Sequence, residues 1–361
     1  MSRIPVNLRG PIETVQVSLT GTQRLSAIYH RNVAQRLVRA LPLAEGESCQ
    51  LECLMARARS VQWLSPEAVH RLYQLPRYPL HADDQPWLSE VLYQAALATP
   101  SATPYTGPKA SWIVNALREL IEPSANEYPV VIDLPRRLRV SLEIARRAFS
   151  LAWPEAWAEH NLLVKYLVFI DAQPMRSATH QTTFGAVYLE ANAAEDPLNL
   201  FLDLVHETGH HALALRDQFA GFLKNPDALS EHPLRPGARP LRGVLHAAFV
   251  LWRMAEALRR YDQVAPRGGP LDGHPWQTQH AELAEQLLAV LQRLDADAVD
   301  RLRACITSKP DRKLPEDPLP SGQLITRYLA PEMHARAVRI LSKGAFGERI
   351  PRKLSHLLRT S

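Results

Sequence analysis

Cysteine is scarce in this 361-residue chain, which has only Cys49, Cys53 and Cys305. No CxxC pair or Cys/His cluster stands near them, which argues against a disulfide framework and a thiolate metal site and leaves free thiols as the expectation. Long apolar runs are missing too: none approaches the roughly 18 residues that suggest a membrane span. Neither charge sign dominates. Lys plus Arg number 42 against 37 Asp plus Glu, a net +5 with His neutral, too small an excess to imply a nucleic-acid partner. The opening MSRIPVNLRGPIE has neither the apolar stretch nor the small-residue cleavage site of a secretory signal, so a cytoplasmic location is expected.

Internal repeats and low-complexity segments are also absent, and the 29 prolines sit mostly in short clusters between periodic stretches. A content of 46% hydrophobic and 22% charged residues is ordinary for a folded globular chain, and this length can bury a sizeable core. Basic residues gather at one end, where Arg336, Arg339, Lys343, Arg349, Arg352, Lys353 and Arg359 face only Glu348. A solvated helix with cations near its C-terminus accounts for them, and an acidic partner is the alternative.

From about Leu25 to Leu120 the apolar residues recur at helical spacing, with Pro-marked starts at LSPEAVHRLYQL and PWLSEVLYQAAL. Between Tyr128 and Glu190 the runs YPVVIDL, LLVKYLVFID and FGAVYLE are rich in strand-forming residues, separated by the helical stretch SLEIARRAFSLAWPEAW. A further helix is expected from Pro197, with Asp196 as its N-cap and Asn225-Pro226 as its stop. After a loop rich in Pro and Arg comes LRGVLHAAFVLWRMAEALRRY, and helices are expected again over His280 to Cys305 and Pro331 to Ile340. The expected division is an N-terminal helical region (1–127), a core of strands and two helices (128–262), and a C-terminal helical region (263–361).

Residues 206 to 210 read His-Glu-Thr-Gly-His. In this H-E-x-x-H pattern, two histidines four apart differ by only about 40° around a helix and lie one turn apart, so both imidazoles can reach one ion. Leu198, Phe201, Leu202 and Val205 form an apolar stripe leading into that turn, which sets the pair at the edge of a core. Gly209 costs roughly 1 kcal/mol relative to alanine in a helix, so a close neighbour is expected there, with FGAVYLE as the candidate. His211, rotated about 100° from His210, is read as packed or at the surface rather than as a ligand. Ser177, Thr179, His180 and Gln181 precede FGAVYLE and either line the site or serve as strand-entry chemistry.

A catalytic metal needs a third protein ligand. The extended metzincin pattern requires Gly at 213 and His at 216, where this chain has Leu213 and Arg216. A thermolysin-like zinc peptidase draws a Glu from a following helix; the nearest is Glu256, without the usual preceding Asn, and Glu207 would then be the general base. The other candidate is His246. On its face lie Arg242, Phe249 and Arg253, and an arginine beside a metal suits a carboxylate co-ligand or substrate. Imidazole ligands suit zinc, copper, iron and nickel alike, so these residues leave the metal open.

The run FGAVYLE, then LVHETGHHALAL, then RPLRGVLHAAFVLWRM resembles the HExxH peptide-modification family associated with ribosomally synthesised peptide natural products, whose members are iron- and 2-oxoglutarate-dependent peptide β-hydroxylases. The resemblance covers roughly residues 175 to 260. It implies Fe(II) on His206, His210 and His246, 2-oxoglutarate held by Arg242 with Arg239 and Arg253 behind it, and dioxygen and a precursor peptide as co-substrates. Glu207 would then orient a ligand or bound water rather than act as a base. The expected fold is α+β and predominantly helical, a small central sheet with a zincin-like HExxH helix packed beside a second ligand helix. A peptide-binding module that keeps a relic site is a third reading.

Overall fold

A computed structural model describes residues 19–42, 48–97, 101–107, 110–120, 130–171, 175–220, 227, 229–231, 234, 237–265, 268–283, 285–286 and 289–290. The fold is α+β and mostly helical, with a small mixed sheet of four strands. Four helices come first: α1 (Leu19–Arg39), α2 (Ser48–Ser60), α3 (Pro66–Gln74) and α4 (Gln85–Leu97). Strand β1 (Thr103–Pro104) and α5 (Ser111–Leu120) follow, then α6 (Arg136–Ala152), α7 (Pro154–Leu163), β2 (Tyr166–Ile170), β3 (Ser177–Thr179) and β4 (Ala186–Glu190). The chain continues through α8 (Pro197–Ala220), a hairpin of β5 (Leu229–Glu231) and β6 (Ala238–Pro240), and α9 (Leu241–Val264). Residues 276–283 are helical, while the rest of the expected His280–Cys305 helix is only partly covered. The helix expected over Pro331 to Ile340, the basic end and Cys305 lie outside the described residues.

The sheet runs β1-β2-β4-β3. The first three strands are parallel and β3 lies antiparallel on the far side of β4. Every residue of β4 is buried, which a strand covered on both faces requires. Val187 and Leu189 join the main core, which holds residues of α6, α8 and α9, and Ala186 and Tyr188 meet Trp112, Ile113, Ala116 and Leu117 of α5.

Helix α8 is the central element. Its N-cap is the expected Asp196, whose Oδ1 accepts hydrogen bonds from the backbone N–H of Leu198 (2.8 Å) and Asn199 (3.0 Å). Leu198, Phe201, Leu202 and Val205 are buried as expected, but so are Leu200, Leu204, Thr208, His211, Ala212 and Leu215. The helix is therefore enclosed on almost every side, with His206 and His210 only partly buried, at the edge of the core as expected. Ala212 and Leu215 complete the cluster formed by α1 to α4, so the N-terminal helices are packed on the same helix that carries His206 and His210.

Several expectations were local misreadings. The described residues of YPVVIDL (130–134) form no strand; Val130 alone bridges to Ile170, with Val131 N–H donating to Phe169 O, and the chain turns into α6 at Pro135. The single helical stretch at 141–157 is two helices, broken between Trp153 and Pro154, where proline opens α7. Strand β1 lies inside the region read as helical, and β3 and the β5–β6 hairpin inside segments read as loops. Among the described residues no helix is long and apolar enough to cross a membrane.

Candidate metal centre

The half-buried end of the site is formed where α8 and α9 pack together. His206 and His210, one turn apart on α8, approach with Nε2 to Nε2 at 3.0 Å, their rings nearly perpendicular at 73°. That is a hydrogen-bond distance between the two rings, and it is also the separation of two nitrogens held at about 2.1 Å and at right angles on one ion. His246 of α9 stands against His210 from the other side, Nδ1 to Nδ1 at 3.1 Å with the rings stacked at 23°. His210 thus turns one nitrogen to each neighbour, and a shared ion requires one imidazole to rotate. As the side chains stand, no group of three or more His, Cys, Asp or Glu among the described residues is disposed to hold a metal ion.

The donor chemistry nevertheless fits one. Metal-binding imidazole must be neutral, and His246 is held so: burial, and then the nearby Arg242 charge, bring its pKa down to about 4. Beside the pair, Glu207 is buried, with Oε1 3.8 Å from His206 Nε2 and Oε2 buried without a hydrogen-bond partner among the described residues. An orphaned carboxylate oxygen in such a place suits a metal, a bound water or a substrate N–H.

Strand β3 supplies the support for Glu207. Ser177 Oγ donates to Glu207 Oε1 at 2.7 Å and lies 3.4 Å from Asp203 Oδ1, and Asp203 is paired in turn with Arg176 at 3.0 Å. Burial raises the Glu207 pKa to about 8; the Ser177 and Thr179 hydroxyls oppose that rise, and the Asp203 charge adds to it. Burial likewise raises Asp203, to about 6, against the pull of Arg176. Ser177 and Thr179 therefore face the site. His180 instead turns to Glu119 (3.1 Å) and Thr182 (2.7 Å).

Gly209 has a different neighbour from the one expected. A Cβ there would meet Val250 Cγ1 and Arg253 Cδ, both at 3.1 Å, so it is α9 rather than FGAVYLE that needs the glycine. His211 is packed, with Nε2 3.1 Å from Ala186 O and its ring edge-on to Phe184. The three arginines differ. Arg253 is fully buried, pairs with Glu159 of α7 at 2.7 Å and lies against Trp153 and Phe249. Arg242 reaches the exposed Asp227 at 2.7 Å, and Arg239 is exposed on β6. Glu256, the alternative third ligand, is gripped by Arg259 (2.7 Å) and Arg260 (2.8 Å), which hold its carboxyl below the usual range despite burial.

Sequence reasoning missed one neighbour of the site: Met254, whose Sδ lies 3.1 Å from His206 Nδ1. Its signal is weak, an uncharged residue two turns beyond His246. No protein-family model matches this chain, and no match to a curated protein was found.

Proposed function

We propose that this protein is an Fe(II)- and 2-oxoglutarate-dependent oxygenase that hydroxylates a side-chain β-carbon of a ribosomally made precursor peptide. His206, His210 and His246 hold the iron, in a zincin-like arrangement of an HExxH helix beside a second ligand helix. One observation carries the reading: of the two candidates on α9, His246 stands at His210, whereas Glu256 is committed to two arginines. When bound, iron and 2-oxoglutarate supply the oxidising power that puts one oxygen atom of dioxygen into a C–H bond, releasing succinate and carbon dioxide.

The chain's own residues position and shield. The α8 pair is fixed by a helix enclosed in the core, which suits a site that must hold its geometry. Arg242, one turn before His246, already binds a carboxylate at the surface, so a ligand carboxylate would replace Asp227 rather than desolvate a new charge. Arg239 lies on the strand leading into that turn, while Arg253 acts from behind by fixing α9. Glu207, anchored by Ser177, has Oε2 left to orient a bound water or the peptide.

Incubating the iron-loaded protein with the precursor peptide encoded beside its gene should add one oxygen mass to the peptide and yield succinate, and His246→Ala should abolish both. Failure to turn over 2-oxoglutarate with that peptide sinks the reading. Zinc-dependent peptide hydrolysis instead requires Glu256 as a ligand and Glu207 as the base. Glu256→Gln should therefore leave metal content unchanged under the proposal and lower it under the peptidase reading.

A further inference from the structure

His206 has two ring nitrogens, and each has a neighbour. Nε2 faces His210 Nε2 at 3.0 Å, and Nδ1 faces the thioether of Met254 at 3.1 Å. A thioether has lone pairs and no proton, so it can only accept. For that contact to be a hydrogen bond, Nδ1 must carry the proton, which leaves Nε2 with its lone pair directed at the site. We propose that Met254 is the positioning residue of His206: its sulfur accepts the Nδ1–H and so selects the tautomer and ring orientation that present Nε2 for ligation. The inference rests on the metal site proposed above.

The identity of the acceptor has a consequence. Metal-bound histidines usually give their second N–H to a carboxylate, a carbonyl or water, acceptors that make the imidazole a stronger donor. Sulfur is a weaker acceptor, so it fixes direction while adding less electron density. Met254 therefore strengthens metal binding by fixing the tautomer and direction of His206, with little added basicity. It also lies on α9, eight residues after His246, so one helix contacts both α8 histidines.

The test uses the full chain. In the metal-free protein, nitrogen-15 NMR of the histidine rings, with His206 assigned by loss of its signals in His206→Gln, should show Nδ1 protonated and Nε2 bare. Met254→Leu, close in volume and without an acceptor, should let the two tautomers mix and weaken Co(II) binding roughly 10-fold, the lower end for loss of such a partner. Met254→Gln, whose amide oxygen accepts, should restore the Nδ1–H tautomer and the affinity. A wild-type His206 protonated at Nε2 overturns the proposal even if no variant folds. So does a Met254→Leu protein with unchanged tautomer and unchanged Co(II) affinity. A wild-type chain that binds no Co(II) refutes the metal site itself, and the tautomer comparison then decides the role of Met254 alone.

Discussion

At the scale of single residues, the gathering of His206, His210 and His246 was legible and their surroundings were not. The four-residue spacing of His206 and His210 follows from helix geometry, and His246 could be singled out by its place on the next helical stretch with arginines on its face, set against Glu256. Nothing in the local sequence says that Met254 touches His206, or that Arg253 points into the core, because both depend on how α9 is rotated against α8. Gly209 is the one residue whose oddity was readable before its cause. Its missing side chain admits Val250 and Arg253, and Arg253 cannot easily give way while it is bonded to Glu159 and packed on Trp153. Alanine gains roughly 1 kcal/mol of helix propensity, but crowding a packed position costs typically 1–3 kcal/mol. Gly209→Ala should therefore lower stability by about 1 kcal/mol in urea unfolding and Gly209→Val by more; a stabilised alanine variant would show that α9 shifts freely.

At the scale of elements, the best read was α8, whose cap, first proline and apolar stripe all stand in the sequence. Its hydrogen bonds from Asp196 make a direct prediction: Asp196→Ala should cost about 1 kcal/mol, and Asp196→Asn distinctly less, in equilibrium unfolding. The short strands were the worst read. Strands of two or three residues, such as β1 and β3, carry too few positions for a period to register, and their pairing is set by β2 and β4 rather than by their own residues. YPVVIDL shows the converse error, a strand-like composition overruled by the helix that starts beside it. Long-range pairing was equally hidden. Arg253 on α9 and Glu159 on α7 form a buried ion pair, and Thr22 of α1 also donates to Glu159 at 2.9 Å. Removing one member of a buried pair strands a charge, so Glu159→Gln or Arg253→Met alone should cost about 3–5 kcal/mol, whereas Glu159→Leu with Arg253→Met should recover most of it. A double variant no better than either single one would deny that the pair acts as a unit.

At the scale of the whole molecule, the mostly helical composition and the small sheet were legible. What was not legible is that α1 to α4 close their cluster on α8, which ties the N-terminal region to the centre of the fold. The core also encloses neutral histidines. His30 Nδ1 accepts from Leu64 N–H, and His160 Nδ1 gives its proton to Thr208 Oγ, whose own proton goes to Leu204 O. Burial brings both pKa values down to about 3. The unfolded chain then binds protons near pH 6.5 that the folded chain refuses, so their contribution to stability is complete above that pH and is lost as pH falls toward 3. The loss should be on the order of 3 kcal/mol for each by pH 4, and it should shrink in His30→Gln when unfolding free energy is followed from pH 7 to pH 4. A pH-independent stability over that range would contradict it. The packing of α9 has a last consequence, one of thermodynamic linkage. The helix that locks the core through Arg253 also carries His246 and Met254, so opening it gives up the core pair and both histidine contacts together. An ion bound only by the closed form stabilises it, by about 2.7 kcal/mol at a hundredfold excess over its dissociation constant. Under the proposed function a chelator should therefore lower the melting temperature of the whole protein, and metal should partly rescue variants of the distant Glu159.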